Sequence, residues 1–353
     1  MPFARLHRVI FFVGAVALLG SLAVSAHAQV ALDWVTVGDP GNAADTTGYG
    51  AVATSYRIMK YEFTNQQYTD FLNAVDPQGT NPDAIYSTNM GSDPRGGIAN
   101  TGSTDGSRYA VKSDMGNKPV NFVTWFDAAR VSNWFQAGGV TYLTSASGSA
   151  AINGGAYTLN GATGGDAPAV NPDARFYVPT ENQWYKAAYY KGGETNAGYW
   201  QYATQVTGTA PTAVNATPVG TGTSDRVSPV TTGNFANYNS GADWNSQDGN
   251  ATTVGTNGGE SYYGAFDMSG NVFEWNDLTG AADSSRGLRG GYWFNDAFYL
   301  SSSYRSTWAP SSVSHIGGGF RLAAPVPEPS TCASLLAGLA FGCYTMLRRR
   351  KRA

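Results

Sequence analysis

The 353-residue chain carries 22 Lys and Arg against 25 Asp and Glu, with 44 Gly and 13% aromatic residues. Seven of the basic residues stand at the two ends, so residues 29–325 hold 15 bases against 24 acids and show no basic patch, which argues against nucleic-acid binding. Both cysteines, Cys332 and Cys343, lie in the C-terminal apolar run and His315 is the only histidine in 29–325, which leaves that region without a thiol nucleophile, a disulfide or a multi-histidine metal site and allows a Ser-His-Asp triad only through His315.

Arg5 and Arg8 precede an apolar stretch from Val9 to Val24, and Ala26-His27-Ala28 supplies small residues two apart. This reads as a secretory signal peptide over residues 1–28, cut after Ala28; an uncut membrane helix is the alternative. The alternation in 33–38 and 56–63 predicts two strands. Thr64 or Asn65 then caps a helix to about Val75, with Tyr68, Phe71 and Leu72 facing inward. Residues 77–116 read as a structured surface excursion.

Thr124-Trp125-Phe126-Asp127 has the spacing of a capping box and predicts a helix carrying Val131, Trp134 and Phe135. Residues 141–174 read as a weakly patterned insertion. A strand at 176–179 then meets a second box, Thr180-Glu181-Asn182-Gln183, and a helix presenting Trp184, Ala187 and Ala188. Residues 194–258 carry little helix signal. Glycine-aromatic clusters fill the closing third, from Tyr262 to Leu322. Three modest helices among short strands and long loops define one α+β domain, 29–325.

At the C-terminus, Val326-Pro327-Glu328-Pro329-Ser330 leads into an apolar run over 332–347 and then Arg348-Arg349-Arg350-Lys351-Arg352. At ~1.5 Å per residue this run covers most of a thin hydrocarbon layer, with the cationic cluster held on the cytoplasmic side. Residues 326–353 resemble the PEP-CTERM sorting signal of Gram-negative bacteria. That resemblance implies an exosortase-type processing partner, a transient inner-membrane anchor, and delivery to the cell surface, outer envelope or extracellular matrix. A plain tail anchor is the alternative.

Six landmarks stand in order between residues 31 and 323. They are Tyr61-Glu62-Phe63-Thr64-Asn65, Pro119-Val120-Asn121-Phe122-Val123-Thr124-Trp125 and Val178-Pro179-Thr180-Glu181-Asn182-Gln183-Trp184, then Gly270-Asn271-Val272-Phe273-Glu274-Trp275, Arg289-Gly290-Gly291 and Gly319-Phe320-Arg321. Together they resemble the formylglycine-generating enzyme, or sulfatase-modifying factor, family. The resemblance implies a loop-rich C-type-lectin-like fold. It also implies where the family enzyme's two copper-holding cysteines would fall, near Asn295 and near Leu300 or Ser301. An amide, an aliphatic chain or a hydroxyl cannot replace soft thiolates that select Cu(I), so no copper and no formylglycine-generating activity is expected.

The resemblance further implies structural calcium at Gly270, Asn271, Val272 and Glu274, through main-chain carbonyls and one carboxylate, with a second site near Asn237-Tyr238-Asn239. Against this, Asn271 would simply cap a turn and Glu274 would pair with an arginine. Trp293, Asn295, Tyr304, Arg305 and Arg321 are the candidate ligand-binding residues, the arginines having core bracing as their alternative and the aromatics core packing. The expected function is non-catalytic recognition of an extracellular peptide or glycan. The alternatives are an enzyme of altered, non-copper chemistry in the same groove, and a structural matrix component whose groove is filled by residues 77–116 or 141–174.

Overall fold

The computed structural model describes residues 30–103, 107–213, 233–243, 247–256, 258–312 and 316–327. The expected signal peptide, residues 328–353 of the expected sorting signal and His315 lie outside these residues. In chain order the first half contains β1 (Trp34–Val37), β2 (Tyr56–Met59), α1 (Asn65–Val75), α2 (Asn89–Ser92), β3 (Ile98–Asn100), β4 (Tyr109–Val111), α3 (Trp125–Gln136) and α4 (Ser145–Ile152). The second half adds α5 (Glu181–Tyr189), β5 (Thr212–Ala213), β6 (Phe235–Ala236), β7 (Phe273–Asn276), β8 (Arg286–Arg289), β9 (Ser306–Trp308), β10 (Gly318–Gly319) and β11 (Ala323–Pro325). Among the described residues no helix is long and apolar enough to cross a membrane.

Three threonines start the three longest helices. Thr64, Thr124 and Thr180 each accept from the amide three residues on, while the side chain of Gln67, Asp127 or Gln183 accepts from the cap amide. This reciprocal bonding satisfies amides that a helix start leaves open. Apolar spacing then selects the buried faces: Tyr68, Phe71 and Leu72 on α1, Val131, Trp134 and Phe135 on α3, and Trp184, Ala187 and Ala188 on α5.

The strands close the chain on itself. β2 is the centre of a three-stranded antiparallel sheet, paired with β1 on one side and β11 on the other, so residues near the two ends of the domain share one ladder. A second sheet runs β10-β7-β8-β9, with β10 parallel to β7 and the remaining pairs antiparallel. Phe63 stacks on Phe320 at 5.0 Å between the two regions, and the main apolar core extends from Met59 to Leu322.

Three stretches differ from expectation. Residues 77–116 contain α2 and the hairpin β3–β4. The strand expected at 176–179 reduces to a single bridge between Tyr177 and Ala323. The insertion at 141–174 contains α4, whose run of Ser, Ala and Gly has no apolar period. It forms because Thr144 caps it and because Gly148 packs on α1, where an added Cβ would stand 1.8 Å from the Val75 carbonyl oxygen. That contact is invisible to periodicity.

Replacing Thr124 by Ala removes the cap of a buried helix and is expected to lower unfolding stability by about 1 kcal/mol in urea melts. Asp127 offers a second check, since burial raises its carboxyl to about 6 against the opposing bonds from Thr124. The folded state holds this proton more tightly than the unfolded chain, where the pKa is about 4. The group's contribution is therefore complete below about pH 4 and is lost as pH rises through about 6. Urea melts across pH should show the wild-type minus Asp127→Asn stability difference falling over that window; a flat difference contradicts the assignment.

Candidate functional site

A fully buried ion pair lies under the closing third of the chain. Arg321 Nε and Nη2 each donate to one oxygen of Glu274 at 2.6 Å. The same guanidinium donates to the carbonyls of Met59, Lys60 and Phe266, and Trp184 Nε1 reaches Glu274 Oε2 at 2.8 Å. Bidentate geometry with the remaining donors satisfied is what makes such burial tolerable. Beside it, the Glu62 carboxylate accepts from Asn271 Nδ2 at 2.6 Å and from the Val272 amide at 3.2 Å. Burial, then Asp267 and Glu274, push the Glu62 carboxyl well above the usual carboxylate range, while Arg321 and the Asn271 bond oppose them.

Strand alternation turns the neighbours of Glu274 to the opposite face of β7. There Phe273 supports Tyr292 at 5.6 Å and Tyr304 at 6.1 Å. Two glycines launch the loop that carries these rings. Gly290 and Gly291 take φ of +95° and +74°, and a Cβ on Gly291 would stand 2.7 Å from Leu300, so the 292–304 loop folds back directly on its own start. Asn295 Oδ1 accepts the Tyr292 amide, Asp296 Oδ1 accepts the Phe298 amide, and the Trp293 and Asn295 carbonyls accept from Ser240 and Asn239.

The loop raises two rings into solvent. Phe294 is 61% exposed and Phe298 62% exposed. Phe294 lies 6.2 Å from Tyr292, and Phe298 lies 5.6 Å from Tyr304, which also meets Tyr299 at 4.6 Å. Phe294, Tyr292, Phe273, Tyr304 and Phe298 thus form one connected row of rings whose two ends are open to water. Neither exposed phenylalanine was among the expected binding residues. Their signal was present in the aromatic run at 292–299 within a Gly- and Ser-rich setting, but sequence does not tell which rings of such a run face out.

On the other side of the same loop two arginines share one acid. Glu181 receives Arg289 Nη2 at 2.8 Å and Arg305 Nε at 2.8 Å. Arg289 is buried and donates Nη1 to the carbonyls of Ser302 and Tyr304, fixing the end of the loop. The Arg305 side chain is 36% exposed, with its guanidinium carbon 5.6 Å from the Tyr49 ring centre.

The expected binding set therefore divides. Asn295, Tyr304 and Arg305 reach the surface of this loop. Arg321 does not, because its guanidinium is spent inside the protein on Glu274 and three carbonyls. Trp293 floors no open groove: it is 3% exposed, packs with Ala251 and Val272, and is covered by the Arg95 guanidinium at 4.8 Å. Arg95 belongs to the 77–116 excursion, which closes that place. Leu300 is buried with Tyr202 and Ala236, while the Asn295 amide holds a turn.

The expected calcium ligands meet around Gly270, but both Glu274 oxygens are held by Arg321, and the Asn271 side chain is spent on Glu62, Thr252 and Asn237. Among the described residues no group of three or more His, Cys, Asp or Glu gathers in a metal-holding arrangement. The upstream position is different. Asn237 is 1% exposed and its Oδ1 has no hydrogen-bond partner, as has Asn250 Nδ2, although Asn237 Nδ2 donates to the Asn250 carbonyl at 2.9 Å. A buried amide oxygen without a donor suits an oxygen-seeking cation.

The description "Sulfatase-modifying factor enzyme 1-like domain" belongs to the family model that matches residues 38–326, and the chain is a member of that family. Its mixed α/β, loop-rich architecture is the family's C-type-lectin-like fold. Among solved structures it is similar to Treponema denticola variable protein 1, at 18% identity and TM-score 0.42 over 83% of this chain and 95% of the other. CarF is similar at 19% identity and TM-score 0.44 over 84% and 99%. PvdO from Pseudomonas aeruginosa is similar at 13% identity and TM-score 0.36 over 84% and 92%. No curated protein matches.

Arg321→Leu leaves Glu274 charged and unpaired in the interior, and a loss of about 3–5 kcal/mol in urea unfolding is expected. The double replacement Glu274→Leu with Arg321→Leu should lose less than the single one. An additive result would show that the two charges do not depend on one another.

Proposed function

We propose that this chain is a non-catalytic recognition protein of the sulfatase-modifying factor family, exported to the cell surface or matrix, and that the 292–304 loop receives a peptide or glycan. The supporting observation is the row of rings ending in Phe294 and Phe298. Large exposed rings cost solvation and mark contact surfaces when contiguous. The loop beneath them is pinned by the packing of Leu300 against Gly291, by side-chain turns and by the Arg289 bonds, so its rings are held ready before a ligand arrives. The chain has no thiol between residues 29 and 325 to supply the family enzyme's copper chemistry. Of the acids with raised proton affinity, Glu62, Asp127 and Asp277 are buried and Asp70 stands on α1 bonded to Gln66; none belongs to the 292–304 loop, which weighs against altered catalysis there.

The leader and the Pro-Glu-Pro, apolar and arginine-rich tail support export and processing by an exosortase-type enzyme. A structural calcium ion fits Asn237 better than Glu274, because the buried Asn237 Oδ1 has no hydrogen-bond partner while both Glu274 oxygens are held by Arg321.

Peptide and glycan arrays probed with the purified chain test the binding reading. The Phe294→Ala, Phe298→Ala double variant should weaken the captured ligand on the order of tenfold, with stability changed by about 0.5 kcal/mol or less. Retention of full affinity by that variant would remove the aromatic face from the function. For calcium, chelation should lower the melting temperature and added calcium restore it, a response that Asn237→Leu should abolish. An unmoved melting temperature in the parent chain would rule that ion out.

A further inference from the structure

We propose that Arg305 is the anion-reading position of this surface, and that the ligand is a sparsely carboxylated glycan whose uronate carboxylate pairs with it. This rests on reading the 292–304 loop as a binding surface.

Arg305 is held as a receptor group would be. Its Nε donates to both oxygens of Glu181, at 2.8 and 2.9 Å, which fixes the plane and direction of the guanidinium. Glu181 is itself fixed by Arg289 Nε at 3.0 Å and by its place in the first turn of α5. Neither Nη1 nor Nη2 of Arg305 donates a hydrogen bond among the described residues, and the side chain is 36% exposed. A guanidinium fork with its stem already oriented loses little freedom when it closes on a carboxylate.

The positive charge is confined to the fork itself. Arg289 and Arg305 share the Glu181 carboxylate, while Asp45, bonded to the Tyr185 hydroxyl, and the exposed Asp296 of the loop place further carboxylates on the neighbouring segments. Residues 29–325 as a whole carry 24 acids against 15 bases, so a densely charged polyanion would be repelled. The arrangement favours a ligand with isolated carboxylates.

The surroundings point to a sugar rather than a bare acidic side chain. The Tyr49 ring beside Arg305 is already covered by the Arg289 guanidinium at 4.8 Å, so the aromatic side left for a sugar is the ring row at Tyr304 and Phe298; exposed, hydroxyl-bearing Thr47 and Ser303 stand on the flanking segments. Arg305 directly follows Tyr304, which belongs to the ring row leading to Phe298. An aromatic ring for the apolar side of a pyranose, hydroxyls for its hydroxyls and a fork for its carboxylate together match a uronate residue within a longer chain.

Calorimetric titration of the whole chain in mild detergent tests this with a hyaluronan hexasaccharide, in which every second sugar is a glucuronate, and its carboxyl-reduced neutral counterpart. The acidic form should bind on the order of tenfold tighter, as a charge-assisted hydrogen bond implies. Arg305→Gln should bring the two affinities together, whereas Arg305→Lys should retain part of the preference. Equal binding of both sugars by the parent chain overturns the anion assignment and leaves the binding surface standing. Arg305-dependent capture of an acidic peptide, with neither sugar bound, overturns the glycan assignment. Equal losses for both sugars in Arg305→Gln, with a lowered melting temperature, would make Arg305 a brace and sink the proposal. Failure of the binding surface itself is read separately, from the arrays and the phenylalanine variants.

Discussion

The contact between Arg321 and Glu274 organises the rest of this molecule. An unpaired guanidinium or carboxylate in the interior costs several kcal/mol, so once these two are buried every remaining donor and acceptor on them must find a partner. The partners come from separate parts of the chain: the carbonyls of Met59, the last residue of β2, and of Lys60 after it, the Phe266 carbonyl, and the indole of Trp184 on α5. Satisfying one pair therefore fixes β2, β7 and α5 relative to one another. A loop-rich chain obtains from this a register that its short strands do not supply.

The same device recurs. Arg286 sits 2.6 Å from Asp277 with its guanidinium carbon 4.7 Å from the Trp125 ring centre, Arg130 reaches Asp83 and Asn153 between α3 and α4, and Arg289 holds Glu181. In each case one planar cation spans two or three segments, Arg286 and Arg289 through several nitrogens and Arg130 through Nη2 alone. The domain has no cysteine with which to staple its loops, and arginine with aromatic packing fills that role. Such bonds are directional, so they specify one arrangement of irregular backbone where apolar burial alone would accept many.

The exposed row of rings is a by-product of that bracing. β7 points Glu274 inward to Arg321 and Phe273 outward beneath Tyr292 and Tyr304. β8 ends at Arg289, whose bonds clamp the return of the loop, and Gly290-Gly291 lets the loop approach its own backbone. Asn295 and Leu300, near which the family resemblance implies the enzyme's cysteines, serve this architecture: Asn295 makes a turn and Leu300 fills an apolar cluster. What remains exposed is a set of rings with one oriented cation at its margin.

The sequence by itself determined the three principal helices, because capping and 3.6-residue spacing are local properties: Thr64 with Gln67, Thr124 with Asp127 and Thr180 with Gln183 are readable without any distant contact. It also determined the family, through six ordered landmarks, and the absence of thiols from residues 29–325. Only the tertiary structure decided α4, which depends on Gly148 meeting Val75, and the fate of each aromatic and arginine in the closing third. Trp293 and Phe294 are adjacent and chemically alike, yet Arg95, some 200 residues earlier, covers one and leaves the other in water. Arg305 and Arg321 are likewise indistinguishable as letters, and what separates them is whether three carbonyls from remote segments converge on the guanidinium. Burial is a property of what packs from elsewhere, and no local pattern carries it.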